Sequence, residues 1–335
     1  MHQIRGIIRV SPASLTFPPL VDSIGLKPEG QEPGMDRYNR RPGGMRVSTC
    51  AAGSLEGNMK RITADYVKKV ALELDADLVG IAPAKALNAN PPDPACPQTP
   101  ERVWGQCRSV IVLGKRMPWG IYHARNLPTR QYVPHLVMDH LDRAALSLSY
   151  RLEGMGHYAF PAPQQHTDPS MKRGTYGPLS LRHLAAEAGL GTIGLNMMLL
   201  TPRHGPRVYL SAVLTSARLE PDGPLLEPLC LGISCGRCLL ACPVDAGGLW
   251  ALDKRRCSTC AQQYGAGAYI NHMETLLRLK DDGAIGEQVR NPDTVGLWQA
   301  LRSGTGAYGA CLRCVESCPV GMDYGPHLKR HHASI

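Results

Sequence analysis

Twelve cysteines in 335 residues, nine of them after residue 229, constrain this chain more than any other feature. The first group reads Cys230-x4-Cys235-x2-Cys238-x3-Cys242-Pro243. The second reads Cys257-x2-Cys260 and, after a long gap, Cys311-x2-Cys314-x3-Cys318-Pro319. Cysteines in such numbers are either disulfide partners or metal ligands, and the redox compartment decides between the two. A secretory leader needs a basic start, an apolar core and a small-residue cleavage site. Residues 1–30 offer only Ile7-Ile8 and fragments broken by Pro12, Pro18 and Pro19. Arg40-Arg41 is followed by Pro42-Gly43-Gly44, where an apolar run would have to begin. The sequence therefore predicts a cytoplasmic chain whose cysteines are thiolates. No apolar run approaches the ~18 residues that a membrane-spanning helix needs.

A 4Fe–4S cluster takes four thiolates around a cube, and two-residue spacings let one loop point several sulfurs inward. In two-cluster ferredoxins the last cysteine before proline crosses over to the other cluster. Two Cys-x2-Cys-x3-Cys-Pro endings in one 90-residue segment fit that reciprocal scheme. One cluster is assigned to Cys230, Cys235, Cys238 and Cys318, the other to Cys242, Cys257, Cys311 and Cys314. Cys260 competes with Cys257 for the last position. Zinc also accepts paired Cys-x2-Cys units, and Cys257/Cys260 with Cys311/Cys314 would make a four-cysteine site. Zinc does not require the doubled Cys-Pro ending, so iron–sulfur is the stronger reading. Cys50, Cys96 and Cys107 have no partner spacing and read as ordinary thiols. Crossed ligation makes residues 226–325 a ferredoxin-like module.

Over the whole chain, 43% apolar and 19% charged residues supply a real core and exclude fibrous and wholly disordered classes. With only two Phe, the core must be built from Leu, Val, Ile, Ala and Met. The balance of 37 basic against 28 acidic residues, +9, favours anionic partners such as tRNA without identifying one. Residues 1–58 are rich in Pro, Gly, Ser and Arg and read as a flexible extension; residues 326–335 read as a basic tail. Thr63 is placed to cap a helix with Val67, Val70, Ala71 and Leu74 on one face. Leu78 to Ile81, Ser109 to Gly114 and Val208 to Thr215 read as strands. A helix is expected to begin at Pro134 and another at Ser180, stopped by Gly189. Alternating elements from 59 to 225 predict a layered α/β or α+β domain, and residues 217–229 a linker.

The run from His183 to Asn196, His-Leu-Ala-Ala-Glu-Ala-Gly-Leu-Gly-Thr-Ile-Gly-Leu-Asn, continues through Met197 and Thr201-Pro202-Arg203-His204-Gly205 to Thr215. It resembles a signature shared by reductive dehalogenases and epoxyqueuosine reductases. Asp77 to Ile81, Gly156 to Pro161 and Leu219 to Pro224 are similar to dehalogenase segments. The resemblance covers roughly residues 60–325 in the same order and points to the dehalogenase-like branch. It implies a nitroreductase-like domain and a corrinoid (cobalamin) held between that domain and the iron–sulfur module. Electrons from a low-potential donor, such as a ferredoxin or flavodoxin, would pass through both clusters to cobalt. The substrate would be a small organic molecule, halogenated in the dehalogenase case. Gly189, Gly191, Gly194, Asn196, Pro202 and Gly205 match the stretch that lines the corrinoid. By composition alone, the glycines read equally well as a helix stop and a tight turn.

Dehalogenases deliver a proton from a Tyr beside a Lys or Arg, whereas epoxyqueuosine reductases place an Asp just before a Tyr-His pair. Here the region is Arg130-Gln131-Tyr132-Val133, and the cation position in the signature is Leu195. Tyr132 is the expected proton donor, with Tyr122, Tyr158, His166 and Asp168 as alternatives, and Gln165 matches a substrate-pocket polar residue. His135 and Asp139 stand at i, i+4 and read as a solvated helix face. Two other classes stay open. One is an epoxyqueuosine reductase-like enzyme acting on tRNA, against which the missing Asp counts. The other is a ferredoxin-type electron carrier without a substrate of its own.

Overall fold

The computed structural model describes residues 62–164, 166–171, 176–303 and 311–322. The extension 1–58, Cys50, Gln165 and the tail 326–335 lie outside them. The described residues gather in one compact unit.

The first seven elements of the layered domain are α1 (Ala64–Glu73), β1 (Leu78–Pro83), α2 (Ala84–Ala89), α3 (Pro100–Val103), β2 (Ser109–Arg116), α4 (Leu127–Glu153) and β3 (Ala159–Ala162). After these come α5 (Leu181–Glu187), β4 (Thr192–Ile193), β5 (Leu199–Leu200) and β6 (Val208–Thr215). The first six residues of β2 are all buried, which requires cover on both faces of the sheet. The period of two separates the faces. Val110 and Val112, with Ala212 and Leu214 of β6, pack under Leu184 and Ala185 of α5 and Leu87 of α2. Ile111 and Leu113, with Val213 and Ile81, pack under Val67 and Val70 of α1 and Leu141, Leu148 and Leu152 of α4. The result is three layers, with the sheet between two sets of helices. Each such Ile or Leu contributes about 1.5–3 kcal/mol by leaving water.

The sheet runs β1-β2-β6-β3 with every neighbouring pair antiparallel, Ile111 facing Ile81 on one side and Val213 on the other. This resolves the sequence alternatives in favour of α+β over a parallel α/β sheet. Strand β6 and the Thr63 cap fall where the sequence places them, with Thr63 Oγ1 accepting the Tyr66 N–H at 3.2 Å.

One helix start needs correction, and the other falls where the sequence places it. Helix α4 begins at Leu127, not Pro134: the Asn126 side chain accepts the Thr129 N–H at 3.2 Å, and a proline stands in the first turn. Pro134 lies inside the helix, so Tyr132 is a helical residue rather than part of a preceding loop. Ser180 holds the N-cap position of α5 without a capping bond, and its hydroxyl pairs with His183 Nδ1 at 2.6 Å.

The expected linker is pinned to the sheet. Leu219 is buried and donates its N–H to Ser109 Oγ at 3.0 Å. Asp222 accepts the Ile81 N–H at 2.8 Å and pairs with Lys68. Leu229 donates to Thr192 Oγ1 at 2.9 Å.

The cysteine-bearing region contains α6 (Arg237–Leu240), β7 (Gly247–Gly248), β8 (Ala251–Leu252), α7 (Lys254–Ala261), α8 (Ala266–Arg278), α9 (Asp282–Arg290), α10 (Pro292–Ser303) and α11 (Arg313–Glu316). Helices α8 to α10 fill the long gap between Cys260 and Cys311; α8 and α9 bury no residue, while α10 buries Leu297 and Ala300.

Candidate iron–sulfur and active site

Cys230, Cys235 and Cys238 of the first motif line one cavity together with Cys318 of the second. Cys238 lies within electrostatic reach of Cys230 and Cys235, and Cys318 within reach of Cys238 and Cys230. Cys257 and Cys260 lie within electrostatic reach of Cys242 and Cys311, and Cys314 within reach of Cys311 and Cys257 and, beyond them, of both Cys238 and Cys242. Cys257 and Cys260 stand on one face of α7, and the Cys260 thiol is hydrogen-bonded to that of Cys311. Burial, followed by the neighbouring thiols of Cys311 and Cys257, pushes Cys314 up to about 12. Thiols packed this closely ionise together only around a strong positive charge, which a metal cluster brings.

Backbone amides already serve the sulfurs. Cys230 Sγ accepts N–H bonds from Leu195 and Gly232, both at 3.4 Å. Burial opposes ionisation of Cys242, yet the N–H groups of Val244, Ala246 and Gly247 outweigh it and hold this thiol below its ordinary value. Such N–H bonds to sulfur stabilise cluster-bound thiolates. Among the described residues, no three His, Cys, Asp or Glu side chains converge closely enough for a single ion. The donor chemistry, free thiols in two Cys-rich runs, suits iron–sulfur ligation.

The glycine signature lies against this module. Gly189 (φ +71°) closes α5 in a Schellman turn: its N–H bonds the Ala186 carbonyl at 3.1 Å, and the Leu190 N–H bonds Ala185 at 2.9 Å. A Cβ on Gly191 would meet the Leu200 carbonyl, and one on Gly194 would meet the Leu200 side chain. Protein thus occupies the side-chain directions of both glycines. Asn196 Nδ2 donates to the Cys314 carbonyl at 3.4 Å. Pro202 is exposed in the turn between Thr201 and Gly205, which exchange two backbone bonds of 3.0 and 2.9 Å. Gly205 packs against Val320 and Gly321.

The proton-donor candidates separate in space. Gln131 is buried and its Nε2 has no hydrogen-bond partner among the described residues, whereas Tyr132 beside it is 54% exposed. Arg130 pairs with Glu316 of α11 while its buried Nε also lacks a partner. Two adjacent orphaned donors at the start of α4 fit a ligand that brings acceptor oxygens, as the peripheral amides of a corrinoid would. Asp168 is held low by the Ser170 hydroxyl and by Arg102 at 2.5 Å, so near neutral pH it carries no proton to give. Tyr158 and His166 are exposed, and Tyr122 stacks edge-on against Trp119. Asp139 faces Arg143 Nε at 3.0 Å. Cys96 and Cys107 are buried in the layered domain, their thiols donating to the carbonyls of Met171 and Ser109.

Two arginines escaped the sequence reading. Arg207, at the foot of the signature, is 2% exposed and reaches the segment carrying Cys318. Arg182, just ahead of His183, bonds the Met197 carbonyl and lies in reach of Cys257. Their only sequence signal is position, Arg182 just before the signature and Arg207 within it, just ahead of β6.

No family model matches the chain. It is 30% identical to an epoxyqueuosine reductase of Bacillus cereus over 156 residues, 45% of this chain and 32% of that protein. It is 31% identical to a tetrachloroethene reductive dehalogenase of Dehalobacter restrictus over 111 residues, 32% of this chain and 18% of that protein. An epoxyqueuosine reductase solved with an epoxyqueuosine-modified tRNA-Tyr stem loop superposes with a TM-score of 0.48 at 21% identity, covering 79% of this chain and 66% of that one. The matched stretches span about a third or less of these curated relatives. The relatives are oxidoreductases of both branches, which removes the sequence-based preference for the dehalogenase-like branch.

Proposed function

We propose that the chain is an iron–sulfur reductase of the epoxyqueuosine reductase kind, carrying two 4Fe–4S clusters in a ferredoxin-like module and a corrinoid against a nitroreductase-like domain. The observation that supports this best is the crossover of Cys318, from the second motif, into the cavity lined by Cys230, Cys235 and Cys238 of the first. When bound, the clusters supply single low-potential electrons and the corrinoid a strongly reducing metal centre. Cys230, Cys235, Cys238 and Cys318 hold one cluster; Cys242, Cys257, Cys311 and Cys314 hold the other. Leu195 and Gly232 stabilise thiolate charge through their N–H groups, and Asn196 braces the Cys314 turn. Gly189 to Gly205 form the corrinoid-facing strip, with Arg130 and Gln131 offering donors to its amides. Tyr132 holds the proton for a substrate that covers its ring.

On this reading the substrate is the modified base of a tRNA and the donor a ferredoxin or flavodoxin in the cytoplasm. Among the described residues no helix is long and apolar enough to cross a membrane. Gln131 favours a second reading, because a buried amide stands where an acid is expected and a small halogenated molecule makes no demand for that acid. The test is anaerobic titration of iron-loaded protein with cobalamin, followed by turnover on epoxyqueuosine-bearing tRNA and on a haloarene. Cobalamin binding with loss of the epoxide supports the first reading, halide release the second. No cobalamin binding by iron-loaded protein contradicts both.

A further inference from the structure

The Arg207 guanidinium is enclosed by the segment that carries the crossover cysteine. Its Nη1 donates to the Val320 carbonyl at 2.9 Å, and its Nη2 to the Cys318 carbonyl at 2.5 Å and the Glu316 carbonyl at 3.5 Å. The same Nη2 lies 3.0 Å from Met322 Sδ. Trp119 covers one face, its ring centroid 5.0 Å from the guanidinium carbon. The backbone is fixed as well, the Arg207 carbonyl accepting the Met117 N–H at 2.9 Å. A charge held at 2% exposure is little screened and acts strongly on its neighbours. The planar fork suits several carbonyls at once, which a lysine could not match.

We infer that Arg207 is a positioning residue that locks the Cys318 turn and, by its fixed positive charge, raises the reduction potential of the cluster Cys318 helps to hold. This deepens the reading of the preceding subsection and rests on it. Reduction adds one electron to a cluster whose thiolates stay bound, so the added negative charge is stabilised by a cation close to one ligand. The electron comes from a low-potential carrier by way of the other cluster, which is oxidised as this one is reduced. Arg182, in reach of Cys257, addresses the other cluster and supplies a spatial control.

The experiment is an anaerobic redox titration of the full, iron-loaded chain followed by EPR, on wild type, Arg207→Gln, Arg207→Lys and Arg182→Gln. Arg207→Gln should shift the reduction equilibrium of one cluster toward the oxidised form by at least tenfold, about 59 mV for a one-electron couple. The other cluster should stay in place. Arg207→Lys keeps the charge but loses the fork, so it should restore the potential while retaining less iron at Cys318. Arg182→Gln should move the other cluster instead. Should Arg207→Gln fail to fold, the Lys variant decides: a restored potential with loosened iron supports the inference, and an unchanged iron content overturns it. Wild-type chain that takes up no iron overturns this inference together with the proposed function. Iron-loaded protein whose potentials ignore Arg207 overturns this inference alone.

Discussion

Gly205 and Gly321 pack backbone against backbone: a Cβ on Gly205 would run into the Val320 carbonyl, and one on Gly321 into the Gly205 nitrogen. Both have positive φ, +55° and +68°. This seam fastens the signature to the Cys318-Pro319 turn. Gly205→Ala should cost about 3 kcal/mol, strain and overlap combined, and should release iron from the Cys318 cluster. Gly223→Ala is the comparison, since Gly223 has φ +75° but open space around it. It should cost only about 1–2 kcal/mol and no iron. Thermal melts and iron assays on both variants distinguish a packed seam from ordinary turn strain.

Asp222 ties the connection between the two halves to the middle of β1. Its Oδ2 accepts from the fully buried Ile81, and its other oxygen pairs with Lys68. Asp222→Ala leaves the Ile81 N–H without this partner and should destabilise the fold by about 1–3 kcal/mol. Lys68→Ala removes only the half-exposed ion pair and should cost under about 1 kcal/mol. Equal effects from the two variants in urea denaturation would show that the carboxylate acts through Lys68 alone.

Burial pushes the Cys107 thiol from 9.0 to about 11, the nearby Thr215 backbone and Arg108 opposing only in part. The thiol form is therefore favoured by folding. Its contribution to stability is complete below about pH 9 and is lost as pH rises toward 11. Native protein at pH 8 should alkylate Cys107 roughly a hundredfold more slowly than a free cysteine. Mass-spectrometric labelling against pH checks this, and rapid labelling at pH 8 would refute the buried placement.

Tyr132→Phe keeps the ring and removes the hydroxyl. If the tyrosine delivers the proton, turnover should fall about 10²-fold with cobalamin binding unchanged. A silent substitution would move attention to Gln131, whose buried amide faces inward from the same turn of α4.

Much of the layered domain was legible because its signals are local. Val208 to Thr215 alternates between two covered faces, and Thr63 caps α1 through an oxygen three residues from its donor. The meeting of Cys318 with Cys230, Cys235 and Cys238 in one cavity was legible because Cys-x2-Cys-x3-Cys-Pro encodes a loop geometry. Pro134 misled because a mid-helix proline looks like a start, while Asn126 and the proline two residues on carried the true one. Helices α8 to α10 went unread because the cysteine spacing dominates that stretch, and α8 and α9, though amphipathic, bury no residue. Arg207 was illegible in principle: its partners lie more than a hundred residues along the chain, and no spacing rule connects a strand-edge arginine to a distant carbonyl.

The most direct measurement is iron and sulfide content, with EPR of the reduced state, for wild type and Cys318→Ala after anaerobic reconstitution. Two four-iron clusters predict about eight iron atoms per wild-type chain. Cys318→Ala should then lose the cluster held with Cys230, Cys235 and Cys238 and keep the signal of the one held by Cys242, Cys311 and Cys314. About one zinc and no iron, or loss of the Cys311 and Cys314 cluster in the variant, would contradict the crossed two-cluster account.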